Sequence, residues 1–194
     1  MAGYTIDHCP ILAFEPLPWP KRIIQQLSDY RTVIVTSKQL VPFFFQPING
    51  QLSSSVAILA IGQKTHEALK AAGYFAHAVA RFSTQEGMID LMEELGQLKE
   101  PVCYPRSSLA RDLMREWLVE KNIKHDAFFC YRTIFNPSFQ RKDLDGYDAV
   151  YFSSPSCVKF FFDVYSKIPP HLTCYTIGPV TEKYFMMRQA RLIK

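Results

Sequence analysis

Two strand-turn-helix segments occur twice in this chain, in the same order, and that repetition limits the possible folds more than any single motif. Val33-Ile-Val-Thr-Ser-Lys-Gln-Leu-Val41 returns 117 residues later as Val150-Tyr-Phe-Ser-Ser-Pro-Ser-Cys-Val158. Ile58-Leu-Ala-Ile-Gly-Gln-Lys-Thr65 returns 116 residues later as Cys174-Tyr-Thr-Ile-Gly-Pro-Val-Thr181. A single look-alike arises easily by chance, whereas an ordered pair at nearly one offset does not. The chain therefore reads as two similar α/β halves facing one another. Each copy is an apolar run, a Thr/Ser or Gly turn and a helix start, a junction that offers backbone N–H groups to an anion.

The rest of the chain fits the same alternation. Apolar runs predict strands over residues 8–14, 32–36, 56–61, 74–79, 101–104, 125–130, 149–152 and 172–177. Helical spacing between them predicts helices over 21–27, 38–45, 64–72, 84–95, 109–121, 155–166 and 179–189. In the 109–121 segment, Leu109, Leu113, Met114, Trp117 and Leu118 fall on one helical face. Strands that are apolar throughout argue for a parallel sheet covered on both faces. Pro16-Leu-Pro-Trp-Pro20 breaks the chain early, and Asn136-Pro137 breaks it again late. Residues 15–130 then form one continuous α/β domain, and 1–14 with 133–194 form a second, discontinuous one. The crossings near Phe14 and Tyr131 become hinge strands.

Composition narrows the function classes. The net charge of +4 is mild and scattered, so it suits an acidic small molecule and gives no support to nucleic-acid binding. The longest apolar runs, such as Phe43 to Phe45, fall far short of a membrane span, and no signal-peptide pattern precedes them. Five cysteines (Cys9, Cys103, Cys130, Cys157, Cys174) without C-x-x-C spacing read as reduced, buried thiols of a cytoplasmic protein. The five histidines lack metal-ligand spacing, and no phosphate-loop or dinucleotide fingerprint occurs, so neither metal nor cofactor is expected.

Candidate residues cluster at the strand-to-helix turns. Thr36-Ser37 and Ser153-Ser154-Pro155-Ser156 are either helix caps or anion-binding turns at the carboxyl ends of parallel strands. Gly62 with Thr65, and Gly178 with Val180 and Thr181, form the second pair, where glycine allows a ligand close to the backbone. In the turn Tyr104-Pro-Arg-Ser-Ser108, Arg106 either offers a planar fork to a carboxylate or sits in solvent, and Ser107 lies beside it. Tyr131 ends a strand near the crossing between halves, as a packing residue or as a donor of its hydroxyl proton to a leaving group. His66, at a helix start, reads as a solvated surface residue.

Together these residues resemble the uroporphyrinogen-III synthase family. Its Thr-Ser turn is matched by Thr36-Ser37, and its Gly-x-x-Thr turn by Gly62 and Thr65 with Leu69 and Gly73 following. Tyr104, Pro105 and Arg111 match a further segment, as do Tyr131 and Thr133, then Phe152, Ser154, Pro155 and Ser156, and finally Ile177, Gly178, Pro179 and Thr181. Each match is weak alone, and the ordered set from Gly3 to Phe185 is specific.

The resemblance implies two parallel-sheet α/β (flavodoxin-like) domains joined by a two-strand connector, and a cofactor-free reaction. In that reaction hydroxymethylbilane, a linear tetrapyrrole with eight carboxylates, loses water and closes into uroporphyrinogen III with its D ring inverted. Tyr131 matches the tyrosine proposed to assist loss of the hydroxyl. Thr36, Ser37, Gly62, Thr65, Arg106, Ser107, Ser153, Ser154, Ser156, Gly178, Val180 and Thr181 become the substrate-binding set. The partner expected is this small molecule alone, with no nucleic acid and no membrane. The expected chain is a monomer, with the second domain's exposed sheet edges as a route to a dimer. Family chains carry a strand and helix ahead of the segment that opens here at Gly3-Tyr4, and more beyond Arg191 to Lys194, so the second domain is expected to be reduced. A different class of reading is a non-catalytic module that keeps this fold and grips a tetrapyrrole or other polyanion. A sugar-phosphate-binding domain would share the Ser/Thr turns but not the ordered motifs.

Overall fold

The computed structural model describes residues 3 and 5–192, with the side chains of 191 and 192 left aside; Tyr4 of the opening motif lies outside the described residues. The chain divides into two compact units, Glu15–Arg132 and Met1–Phe14 with Thr133–Lys194. Both changes of unit fall inside strands, β1 (Leu12–Pro16) and β6 (His125–Phe135).

In the larger unit the order continues through α1 (Lys21–Gln25), β2 (Thr32–Val35), α2 (Gln46–Ile48), β3 (Ala57–Ala60), α3 (Gln63–Ala71), β4 (Ala78–Val79), α4 (Gln85–Leu95), β5 (Val102–Ser107) and α5 (Leu113–Glu120). The six strands lie in the order β1-β6-β5-β2-β3-β4. The pairs β4–β3, β3–β2, β2–β5 and β5–β6 are parallel. The bond from Leu17 N–H to Cys130 C=O near one end, and from Asn136 N–H to Ile11 C=O near the other, sets β1 antiparallel to β6. Val33, Ile34 and Val35 are wholly buried, as strands covered on both faces must be. On one side Ile34, Leu59 and Tyr104 meet Met88 and Met92 of α4 and Met114 and Leu118 of α5. Elsewhere in the unit, Trp19 packs on Phe44 and Phe128 at ring separations of 5.3 and 5.7 Å.

Counted from β2, the parallel strands run third, second, first, fourth, fifth. The flavodoxin order expected above places the third strand on the far side of the first, so that expectation is corrected. The chain moves outward from β2 to β3 and β4, then returns past β2 to β5. The order therefore reverses between β2 and β5, and the carboxyl ends of those two strands flank the crevice where open α/β sheets bind ligands.

The smaller unit holds β7 (Ala149–Phe152), α6 (Pro155–Tyr165), β8 (Thr173–Thr176) and α7 (Pro179–Leu192). Among the described residues its sheet has two strands, β7 and β8, running parallel. Phe152 packs with Val158, Phe161, Phe162 and Phe185 into a core dominated by aromatic rings. Tyr151 and Tyr175, opposite one another in the register, are exposed. The repeat carries through to pairing. Val33 faces Ile58 in the larger unit, and their counterparts Val150 and Cys174 face one another in the smaller.

Several element boundaries differ from the sequence reading. Residues 8–11 are not strand, and Cys9 is exposed rather than buried. Residues 38–45 form a π-helical turn at Val41–Phe45, where Pro42 lacks the N–H that a regular helix would use. The 109–121 helix begins only at Leu113, which leaves Leu109 63% exposed. The carbonyls of Ala110 and Arg111 turn instead to the guanidinium of Arg106.

Candidate active site

At the carboxyl end of β2, Thr36-Ser37 leads into a turn in which Ser37 Oγ accepts the N–H of Gln39 at 3.1 Å. At the end of β5, Ser107 Oγ accepts the N–H of Leu109 at 3.2 Å. Tyr131, on β6, stands opposite Ser107 in the register. Ser37 and Ser107 lie near enough to Tyr131 for their side chains to influence its phenol. The Phe43 ring stacks on the Tyr131 ring at 5.2 Å and 21°. Burial raises the Tyr131 phenol above its ordinary range, and the two serine side chains pull it part of the way back. The result is a phenol that keeps its proton at neutral pH, the form a proton donor needs. Three predicted residues thus meet at one place. Phe43 joins them unforeseen, since an apolar run such as Phe43 to Phe45 signals core.

Arg106 does not sit in solvent, and the carboxylate it meets is the chain's own Asp112. It is 3% exposed, and its Nη1 bonds Asp112 at 2.7 Å while its Nη2 bonds the Ala110 carbonyl at 2.6 Å. Its guanidinium also lies over the rings of Tyr104 and Phe129. Asp112 is held below the usual carboxylate range chiefly by that hydrogen bond. Arg106 therefore shapes the turn after β5 through its two Nη atoms, while its buried Nε has no hydrogen-bond partner. Thr36 sits beside the buried Tyr104, whose phenol burial also pushes up. Arg111 makes a two-pronged pair with Glu86 at 2.7 and 2.8 Å.

Gly62 precedes α3 and is required by contact rather than by turn geometry: a Cβ there would meet Ser83 Oγ at 2.0 Å. Without a side chain it leaves the first turn of α3 without a side-chain cap. Thr65, three residues on, is buried, so its side chain turns inward. His66 is half-buried with its Nδ1 unpartnered, not the solvated residue expected.

The corresponding turns of the smaller unit follow the same plan with different details. Ser154 caps α6 by accepting the Cys157 N–H at 3.2 Å, with Pro155 at the first helical position. Ser153 is exposed, with Oγ 3.4 Å from the Cys157 sulfur, and Ser156 is half-buried. A Cβ on Gly178 would find nothing within 4 Å. Val180 is 74% exposed, while Thr181, like Thr65, is buried. Among the described residues no group of three or more His, Cys, Asp or Glu is placed to hold a metal ion. No helix there is long and apolar enough to cross a membrane.

No curated protein matches the sequence. Solved structures do resemble the fold. A uroporphyrinogen-III synthetase from Helicobacter pylori is 18% identical, with a TM-score of 0.66 over 97% of this chain and 84% of that one. A mutant uroporphyrinogen III synthase from the extremely thermophilic bacterium Thermus thermophilus is 19% identical, with a TM-score of 0.61 over 93% of this chain and 78% of that one. At such identities the likeness shows a shared fold. The family itself is shown by its sequence model, described as uroporphyrinogen-III synthase HemD, which matches residues 1–191. The chain belongs to the uroporphyrinogen-III synthase family, and its function is that family's step in porphyrin and haem biosynthesis.

Proposed function

We propose that the chain converts hydroxymethylbilane to uroporphyrinogen III as a cyclising hydro-lyase, with Tyr131 as the proton donor. The observation that carries this reading is the place of the buried Tyr131, opposite Ser107 at the carboxyl end of β5, beside the point where the strand order reverses. Its proton passes to the substrate hydroxyl, water leaves, and the azafulvene formed is attacked by the far end of the tetrapyrrole. Closure through a spiro intermediate inverts the D ring.

A substrate with eight carboxylates is best held by many neutral dipoles, since burying a matching number of cations would carry a large desolvation cost. The first turn of α3, uncapped behind Gly62, supplies such dipoles. So do the turns at Thr36-Ser37 and Ser107. In the smaller unit the same role falls to Ser153, Ser154 and Ser156 and to Gly178, Val180 and Thr181, where open space at Gly178 lets a carboxylate approach the backbone. Thr65 and Arg106 support these turns from below. The domains are 15–130 and 1–14 with 133–194, connected through β1 and β6. The substrate is a small molecule and the setting cytoplasmic.

The test is turnover of hydroxymethylbilane generated in place by its upstream enzyme, with product isomers separated chromatographically. Type III product above the spontaneous type I background is expected. Tyr131→Phe is expected to lower kcat roughly a hundredfold, the scale of a lost proton donor, with product binding retained. Only type I product from folded protein would overturn the reading.

A further inference from the structure

Two departures from regular backbone meet over one pair of rings at Tyr131. β5 and β6 pair in step from Val102 with His125 to Arg106 with Phe129; then the register slips, so that Ser107 faces Tyr131 and Cys130 is the extra residue of a β-bulge. Residues three apart on a regular strand point to opposite faces, which would separate Phe128 from Tyr131. The extra residue puts both on the side of the π-helical turn at Val41–Phe45. There Phe44 meets Phe128 at a ring separation of 6.2 Å, and Phe43 meets Tyr131 at 5.2 Å.

The turn supplies the other half of the pair. Gln46 N–H reaches back to the Val41 carbonyl, and Pro42 has no N–H to give to a regular helical ladder. The three consecutive phenylalanines divide between two settings. Phe44 and Phe45 are wholly buried, and their rings meet Trp19, one another and Tyr74 at 36°, 89° and 59°. Phe43 is half-buried and lies nearly flat on Tyr131, at 21°. A ring held flat against another cannot turn about its own axis without losing the contact. A phenolic O–H lies in the plane of its ring by conjugation, so holding that plane limits the directions in which the proton can be given. We propose that Phe43 is a positioning residue that acts through Tyr131: the stack fixes the plane of the phenol ring, and with it the plane in which the hydroxyl donates. This rests on the proton-donor role given to Tyr131 above.

The experiment is a mutant cycle. Phe43→Leu, which keeps apolar bulk but removes the flat face, is made in the native chain and in Tyr131→Phe, and kcat and KM are measured for each folded variant. In the native chain it is expected to lower kcat about tenfold with KM nearly unchanged, the scale of a slightly misplaced group. In Tyr131→Phe it is expected to cost nothing further. Phe43→Tyr, which keeps the ring, is expected to recover most of the native kcat, and to stay at the level of Tyr131→Phe when the two are combined. The near-ultraviolet circular dichroism of Tyr131, read as the difference between the native chain and Tyr131→Phe, is expected to weaken in the Phe43→Leu background. An unchanged kcat in Phe43→Leu, or an unchanged Tyr131 band, would overturn the inference. A loss that persists in Tyr131→Phe, or that falls on KM alone, would make Phe43 a substrate contact and overturn it while leaving the tyrosine's role standing. Native turnover in Tyr131→Phe would remove the proton-donor role and this inference with it. If Phe43→Leu does not fold, Phe43→Met decides by the same criteria.

Discussion

The pairs β2–β3 and β7–β8 are copies of one plan placed in different surroundings. Their registers correspond residue for residue, and both end in a hydroxyl turn and a glycine turn. Yet every residue of β2 is buried, whereas β7 buries only Phe152 fully and β8 alternates between exposed and half-buried. The larger unit places its copy inside a six-stranded sheet with apolar cover on both faces. In the smaller unit α6 and α7 supply the apolar partners of Val150, Phe152 and Cys174, while Tyr151 and Tyr175 stay exposed. The equivalent serines differ for a local reason. Pro155 lets α6 start at once, so Ser154 caps it three residues on, whereas Lys38 follows Ser37 and the serine closes a two-residue turn. The pairing plan is thus portable, and the surroundings decide how much each residue contributes to stability.

The largest expected effect tests that last point. Ile34→Ala, at a fully buried position of β2, is expected to lower unfolding free energy by about 2–5 kcal/mol in urea titrations, because a packed core cannot close the cavity. Val150→Ala in the smaller unit is expected to cost only about 1 kcal/mol, since that residue is half-buried. Equal losses would mean that the smaller unit's sheet is as fully covered as the larger one's.

The two glycines sharpen the comparison at an intermediate scale. Gly62→Ala drives a methyl group into Ser83 Oγ and is expected to destabilise by about 1–3 kcal/mol. Gly178→Ala meets open space and is expected to leave the melting temperature within a degree or two, a stability change of about 0.5 kcal/mol or less. If the turn at Gly178 receives a carboxylate, the same change raises KM. A melting loss at Gly178 as large as at Gly62 would erase the distinction between a glycine kept for packing and one kept for approach.

The smallest effect appears in acid. Both units hold exposed carboxylates below their usual range, among them Glu86, at about 2 through its hydrogen bonds with Arg111, and Asp7, through Lys142 and Tyr147. A folded-state value below the unfolded one stabilises above the unfolded value, here 4.5 for Glu86, and that contribution fades as pH falls toward 2. Arg111→Met is therefore expected to flatten the decline in stability between those limits. Both partners are more than half exposed and screened by solvent, so the change is at most about 1 kcal/mol. A larger change would assign Arg111 a role beyond this pair.

Much of the fold was legible in the sequence because its signals are carried by neighbouring residues. Strand β7 was foreseen at its observed bounds, α6 to within a residue at one end, and Ser154 with Pro155 announced both the end of the turn and the cap. The ordered motifs pointed to the family, and Tyr131 with its serine turns was singled out as candidate chemistry. What stayed hidden depends on partners distant in the chain. The strand order on either side of β2 follows from which edge each crossover takes, and no local pattern records that choice. Arg106 read as a fork for a carboxylate or as a solvated side chain because its sequence does not show the carbonyls of Ala110 and Arg111 turning back to meet it. Above all, one extra residue at Cys130 aims Tyr131 at Ser107, and a bulge exists only between two paired strands. Neighbouring residues alone set the repeated strand-turn-helix plan and the residue types at its turns, because caps, proline and apolar period act over a few residues. Which of those residues meet is fixed in the folded chain, because register and strand order are set by long-range pairing.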